Sequence, residues 1–201
     1  MELIDSDSIL GSHNTMTYLR PSNWWLWLGH KIVAQCQNKS VEAQFAQGVR
    51  CFDLRVYYDK KMGKFFFSHG MIRYDKRYDI HSVIKTINAL AHKHKSKVYI
   101  RLILEHCPND YYSIKFVSLC KYLVSRKYKY IEFIGGNRKG DWKKLYDFAN
   151  NIHDWDISQF VSSMAQDARW YEKFIPRLYA KRMNKVNKHK ANNFITLFDF
   201  I

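Results

Sequence analysis

The chain is poor in residues that break or bend a backbone, with 3 prolines and 8 glycines in 201 positions. No Pro-, Gly- or Ser-rich stretch reads as a linker, so the sequence predicts a single domain over residues 1–201 with a full core. No repeat of solenoid length recurs. Cysteine is scarce at 4, and Cys36, Cys51, Cys107 and Cys120 show neither CxxC pairing nor zinc-finger spacing. Cys51 and Cys107 lie in apolar runs, where cysteine behaves as a small hydrophobe, so a reducing compartment is the simpler expectation. No run reaches the ~18–20 apolar residues that cross a bilayer. No basic-then-apolar leader opens the chain. The expected location is cytoplasmic or peripheral to a membrane, with secretion left open if a leader once preceded Met1.

Acidic residues are also few. Asp and Glu number 18 against 33 Lys and Arg, a formal net charge of +15. A basic surface attracts phosphate, whether on nucleic acid, an anionic lipid surface or a small substrate. The charge gathers at Lys93, Lys95 and Lys97, at Arg126, Lys127 and Lys129, and from Lys181 to Lys190. Such clusters are most often solvated faces, so charge indicates phosphate without naming a ligand. What the chain has in quantity is apolar and aromatic matter, 47% and 16%, which excludes a disordered chain.

Periodicity divides the sequence into alternating strands and helices. Ser8 to Leu10, closed by Gly11, predicts a short strand. Ser40 to Gly48 predicts a helix capped by Ser40 and stopped by Gly48. Residues 51–58 and 64–68 read as strands joined by a turn at 59–63. Apolar residues near a 3.6 period (Ile80, Val83, Ile84, Ile87, Leu90) predict a helix over 79–94. A buried-type strand follows at 98–104, then a helix at 112–124 and a strand at 130–134. Residues 141–151 and 157–171 are expected to be helical, 172–190 is ambiguous, and 194–200 predicts a closing strand. The order points to an α/β fold, either an open sheet or a closed barrel.

Four places combine ionisable groups with strand ends: Gly11-Ser-His13-Asn14-Thr15, Asp53-Leu-Arg55, Ser68-His69-Gly70 and Phe198-Asp199-Phe200. Asp53 and Arg55 are two apart on one strand and project from one face. Each feature alone has a bland reading: a structural salt bridge, a packing histidine, a cap. Together they match the needs of metal-free phosphodiester cleavage. One histidine removes a proton from the attacking hydroxyl and the other protonates the departing oxygen. A guanidinium offsets phosphoryl charge, and carboxylates fix the imidazole tautomers.

The order Gly-Ser-His13-Asn14-Thr15, then Gln44-(x)3-Gly48-Val-Arg-Cys-Phe-Asp53-Leu-Arg55, then His69-Gly70 resembles the X domain of phosphoinositide-specific phospholipase C. Leu102-Ile-Leu-Glu105-His-Cys107 and Ile195-Thr-Leu-Phe-Asp199-Phe-Ile201 are similar to later strands of that family. The resemblance implies a small, distorted or incomplete TIM-type (β/α) barrel. It also implies attack by the inositol 2-hydroxyl on phosphorus, releasing diacylglycerol and a cyclic inositol phosphate. Carried over by position, His13 is the general base, His69 the general acid, Asp199 the orienter of His13, Asp53 an assisting group and Arg55 the phosphate contact. Asn14, Glu105 and Arg101 are the expected substrate-binding residues.

In calcium-dependent members of the family the position of Arg55 carries a carboxylate ligand, whereas the bacterial metal-free members carry arginine. The resemblance therefore implies no metal and no cofactor. Bacterial members have aspartate after the first histidine where this chain has Asn14, which leaves the orienter of His69 open. The Trp24-Trp25-Leu26-Trp27 run is either a lipid-facing element or part of the core or of a protein interface. Expected partners are an anionic phospholipid or inositol phosphodiester with peripheral membrane contact, the oligomeric state being open. Nucleic acid is disfavoured for want of a recognised motif. The alternatives are a catalytically weak module binding anionic membrane or nucleic acid, and a calcium-dependent glycerophosphodiesterase-like enzyme.

Overall fold

A computed structural model of the protein describes residues 8–134, 157–160, 167–189 and 195–201. Its strands are β1 (Ile9–Ser12), β2 (Cys51–Asp59), β3 (Lys64–His69), β4 (Ile72–Arg73), β5 (Val98–Leu104), β6 (Ile131–Ile134), β7 (Ile157–Phe160) and β8 (Ile195–Phe198). The helices of a turn and a half or more are α1 (Val41–Ala46), α2 (Ile80–His94), α3 (Asp110–Ser125) and α4 (Pro176–His189). Six strands run parallel in the order β6-β5-β2-β1-β8-β7. The outermost two, β6 and β7, do not pair with each other among the described residues, so the sheet is not closed.

Strand alternation sorts the side chains into two cores. Phe52, Leu54, Val56, Ile100, Leu102 and Leu104 face outward and pack with Ile84 and Ile87 of α2 and Phe116 and Leu123 of α3. Cys51, Tyr99, Ile134, Ile195 and Leu197 face inward and fill the barrel interior. Strands buried on both faces have to be apolar almost throughout, as these are. Each such Leu, Ile or Phe contributes about 1.5–3 kcal/mol. Gly11 lies where β1 is squeezed within this interior. A Cβ there would collide with the Leu197 side chain and sit 3.2 Å from Cβ of Cys51.

The helix signals read from sequence are where the structure has them. Ser40 Oγ accepts from the Ala43 N–H at the start of α1, and Gly48 follows its end at φ 95°. Asp79 caps α2 by accepting from Ser82 N–H at 2.9 Å. Two expectations are corrected and one ambiguous stretch is assigned. The helix expected over 157–171 begins instead as strand β7 at Ile157–Phe160, paired with β8. The ambiguous 172–190 contains α4, with Pro176 as first residue, where its missing N–H costs nothing. Cys107 is exposed rather than packed, because β5 has already ended at Leu104 and Pro108 turns the chain. The helix expected over 141–151 lies outside the described residues.

The β2–β3–β4 hairpin departs from barrel order and positions the site. β1 pairs with the N-terminal end of β2, ending at Ser12↔Phe52. β3 returns antiparallel along the same edge of β2, from Asp59↔Lys64 down to Val56↔Phe67. The residues that follow these two registers are His13 rising from below and His69 descending from above. They arrive beside the same stretch of β2, the one carrying Asp53 and Arg55.

Candidate active site

His13 continues β1, its N–H donating to the Phe198 carbonyl at 3.0 Å, so β1 and β8 fix it together. Asp199 follows the last residue of β8, just beyond the strand in which the sequence placed it. Its Oδ1 lies 2.7 Å from His13 Nδ1, and both side chains are buried. On the other side of the ring, Nε2 lies 2.9 Å from Arg55 Nη2 and 3.2 Å from Asn14 Nδ2. Both neighbours are donors only, so Nε2 must accept. The ring is therefore neutral, with its proton on Nδ1 and a lone pair turned toward Arg55. Burial, aided by Arg55 and His69, lowers the His13 pKa to about 3 despite the opposing pull of Asp199.

Arg55 is the hub. Its Nε and Nη2 donate to Asp53 Oδ2, each at 3.1 Å, and its Nη1 donates to Glu105 Oε1 at 3.1 Å. Glu105 in turn accepts from Gly70 N–H at 3.1 Å, which holds the loop after His69 against the end of β5. Asp53 is fully buried; burial pushes its carboxyl up, and Arg55 and Arg101 more than offset this, leaving it below the usual range. For Arg55 burial works against the charge, and Asp53 and Glu105 outweigh it to raise the pKa. Arg101 lies inside the barrel with Nη1 3.7 Å from Asp53 Oδ1. The β2–β5 register puts it level with Asp53 on the neighbouring strand, two residues further from the mouth than Ile103, which pairs with Arg55.

His69 is held by a group with no residue-type signature. Its Nδ1 lies 2.8 Å from the backbone carbonyl of Ala34, which fixes Nδ1 as donor. Asn14 is not its orienter: the Asn14 amide reaches His13 Nε2 and Cys36 Sγ instead. A carbonyl dipole supports a charged ring less than a carboxylate does, and burial followed by Arg55 lowers the His69 pKa.

The sequence reading missed two further contributors. Gln37 Nε2 donates to the carbonyls of His13 at 3.1 Å and Phe198 at 2.7 Å, clamping both ends of the His13–Asp199 pair. Cys36 packs against the same pair, and its carbonyl accepts from Phe200 N–H. His13, Cys36 and Asp199 offer nitrogen, sulfur and oxygen atoms within 4.8 Å of one another. That set is already closed by the imidazole–carboxylate bond, and burial raises the Cys36 thiol well above its usual range. Further along the chain, Tyr179 is buried in a separate small cluster with Ala168 and Met183, and Arg177 is exposed.

A neutral imidazole backed by a carboxylate, a second imidazole and an arginine between carboxylates form one group at the parallel strands' C-terminal ends. The family profile described as phosphatidylinositol-specific phospholipase C, X domain, matches residues 7–128, which include His13, Asp53, Arg55, His69 and Glu105. The chain belongs to that family. Among solved structures it is similar to the phosphatidylinositol-specific phospholipase C of Listeria monocytogenes, with a TM-score of 0.62 and 19% identity over 100% of this chain and 90% of that one. It is also similar to the enzyme of S. aureus whose membrane binding was modulated, with a TM-score of 0.61 and 12% identity over 98% of this chain and 87% of that one. The search of curated proteins returned no match. At these identities the structural likeness establishes the fold, a TIM-like barrel that this X-domain chain leaves unclosed among the described residues.

Proposed function

We propose that this X-domain chain is a metal-independent phosphorus–oxygen lyase acting on phosphatidylinositol or a related inositol phosphodiester. The observation that carries the reading is the Arg55 contact to His13 Nε2 at 2.9 Å, which keeps a neutral, Asp199-oriented base beside a phosphate-seeking cation. When a phosphodiester enters, its non-bridging oxygens take the Arg55 N–H donors and free the Nε2 lone pair. His13 then takes the proton of the inositol 2-hydroxyl, whose oxygen bonds to phosphorus. The bond from phosphorus to the diacylglycerol oxygen breaks, and His69 supplies the proton to that oxygen. The products are diacylglycerol and a cyclic inositol phosphate. The bound phosphate's negative charge offsets Arg55 and raises the His69 pKa, as the acid role requires.

The residues do not fit a calcium ion. Calcium needs several oxygen ligands, and here Asp53 and Glu105 each give an oxygen to Arg55, whose cation would face the metal. Asn14 steadies Nε2, Glu105 holds Arg55 and the Gly70 loop in place for the headgroup, and Arg101 acts on the substrate only through Asp53. Trp24, Trp25 and Trp27 are 85%, 64% and 40% exposed, and Ile32 and Val33 extend the same apolar segment. This fits the lipid-facing alternative and supports peripheral membrane contact. No described helix is long and apolar enough to cross a membrane.

The test is cleavage of phosphatidylinositol in mixed micelles containing a chelator, with native protein, His13→Ala and His69→Ala. Native protein is expected to turn over, and each variant to lose at least ~10²-fold while keeping its far-ultraviolet spectrum. Variants as fast as native protein would remove both histidines from the mechanism.

A further inference from the structure

Two basic clusters that cleavage does not use, Lys93 to Lys97 and Arg126 to Lys129, meet at the N-terminal end of the sheet. α2 ends at His94 and α3 at Ser125, and after each a short basic loop leads into β5 or β6. Val98 N–H donates to the Tyr130 carbonyl at 2.8 Å, and the His92 ring stands edge-on to Tyr130 at 5.0 Å, so the loops are fastened side by side. The candidate active site lies at the other end of these strands: Lys97 and Glu105 flank β5, roughly 25 Å apart.

Between the loops is a cavity of about 440 Å³, a size typical of ligand pockets. Buried Leu123 and Phe133 and half-buried Val124 give it apolar walls, and exposed Lys97, Lys127 and Lys129 complete the lining. Lys97 pairs with Glu132 at 2.6 Å, whereas no carboxylate pairs with Arg126, Lys127 or Lys129 among the described residues. Two lysines of this face are placed at a cost. Lys95 and Lys127 follow their helices with φ of 48° and 46°, a conformation that glycine takes freely and a residue with a Cβ does not. A helix C-terminus favours a cation, but a lysine in the last turn would supply it without the strain.

Unpaired cations call for an anion, and the apolar walls call for a side chain beside it. A nucleic-acid single strand would need open aromatic faces for its bases. Here Lys129 Nζ covers the Tyr130 ring at 5.2 Å, Lys97 Nζ covers Tyr99 at 5.0 Å, and Tyr128 packs on Phe133 at 6.2 Å. A bilayer met by Trp24 to Trp27 lies at the opposite end, because that segment leads to the Ala34 carbonyl on His69. We propose that this face docks an acidic segment of a protein partner, its carboxylates on Arg126, Lys127 and Lys129 and one large apolar side chain in the cavity. Docking is independent of the lyase chemistry and leaves the active site open to lipid.

The test titrates the native chain, without lipid and at physiological ionic strength, with short synthetic peptides of Glu and Asp carrying Phe, Leu or Trp at the centre. Calorimetry should register binding, with amide shifts at 92–97 and 123–133. Serine at the centre of the peptide should weaken binding by about tenfold, the effect of losing one buried apolar side chain. This change leaves the protein untouched, so it decides the matter even if a variant fails to fold. Lys127→Gln/Lys129→Gln should weaken binding by at least about tenfold. Lys60→Gln/Lys61→Gln, which removes the same charge from an exposed turn at the other end, should weaken it by less than about twofold. His13→Ala should bind like the native chain, so loss of turnover and loss of docking are separate outcomes. No binding to any of the peptides, equal weakening by both lysine pairs, or indifference to the central residue overturns the proposal. So does tighter binding of oligothymidylate or of phosphatidylserine vesicles that is lost in Lys127→Gln/Lys129→Gln, since either assigns the face to another class of partner.

Discussion

Acidification should unfold this protein through His13, and the sign of the effect decides what the His13–Asp199 pair is. An imidazole 2.7 Å from a buried carboxylate would ordinarily be read as an ion pair. In that case the folded pKa lies above the unfolded value of ~6.5, and the fold gains stability as pH falls. The donors at Nε2 require the opposite, a neutral ring with a folded pKa of about 3. The unfolded chain then binds the proton first, and stability present above pH ~6.5 is lost progressively down to the folded pKa. The slope approaches about 1.4 kcal/mol per pH unit inside that window, and because the unfolded ring is already half protonated at pH ~6.5, about 2.3 kcal/mol is lost between pH ~6.5 and ~4.5. His30 and His69 are also lowered by burial and contribute with the same sign, so the His13 share must be isolated. His13→Gln does this, since glutamine keeps a donor for Asp199 and does not titrate. Urea unfolding of both proteins across this range should show native stability falling relative to His13→Gln by about 2–3 kcal/mol. A difference that is flat with pH, or that grows in favour of the native protein on acidification, would refute the neutral-base assignment.

Three other outcomes follow from the same contacts. Asp199→Asn lets the amide nitrogen face Nδ1 and moves the ring proton to Nε2, so turnover on phosphatidylinositol should fall by about 10³-fold with little change in KM. Arg55→Lys keeps a positive charge but cannot span Asp53, Glu105 and the phosphate together; kcat/KM should drop by about 10²-fold, and added calcium should not restore it. Trp24→Ser/Trp25→Ser should weaken partition onto sedimented anionic vesicles by at least about tenfold while the circular dichroism melt stays unchanged, both rings being exposed.

Much of this site was legible because its residue types are costly to bury without cause. Asp53 and Arg55 alternate on an apolar strand, and His13 and Asp199 end apolar runs, so sequence alone could nominate them. What it could not see was backbone. The Ala34 carbonyl that holds His69 leaves no trace in residue identity, which is why the sequence left the orienter of His69 open. Gln37, which clamps His13 and Phe198, sits in a stretch without periodicity and gave no signal. The antiparallel return of β3, by contrast, follows from the sequence, because a turn confined to 59–63 is too short for a parallel crossover. β7 was missed because Ile157-Ser-Gln-Phe160 is too short to show a period of two, and its place depends on pairing with β8. The helix edges were better marked, since Ser40, Gly48 and Asp79 act through local hydrogen bonds and backbone angles.

The most direct measurement of the central claim is phosphorus NMR of phosphatidylinositol incubated with the protein in excess chelator. A two-histidine, metal-free lyase predicts the resonance of a cyclic inositol phosphate growing as the lipid signal is lost. No product from folded protein, or product that appears only when calcium is restored, would contradict the assignment of Arg55, His13 and His69.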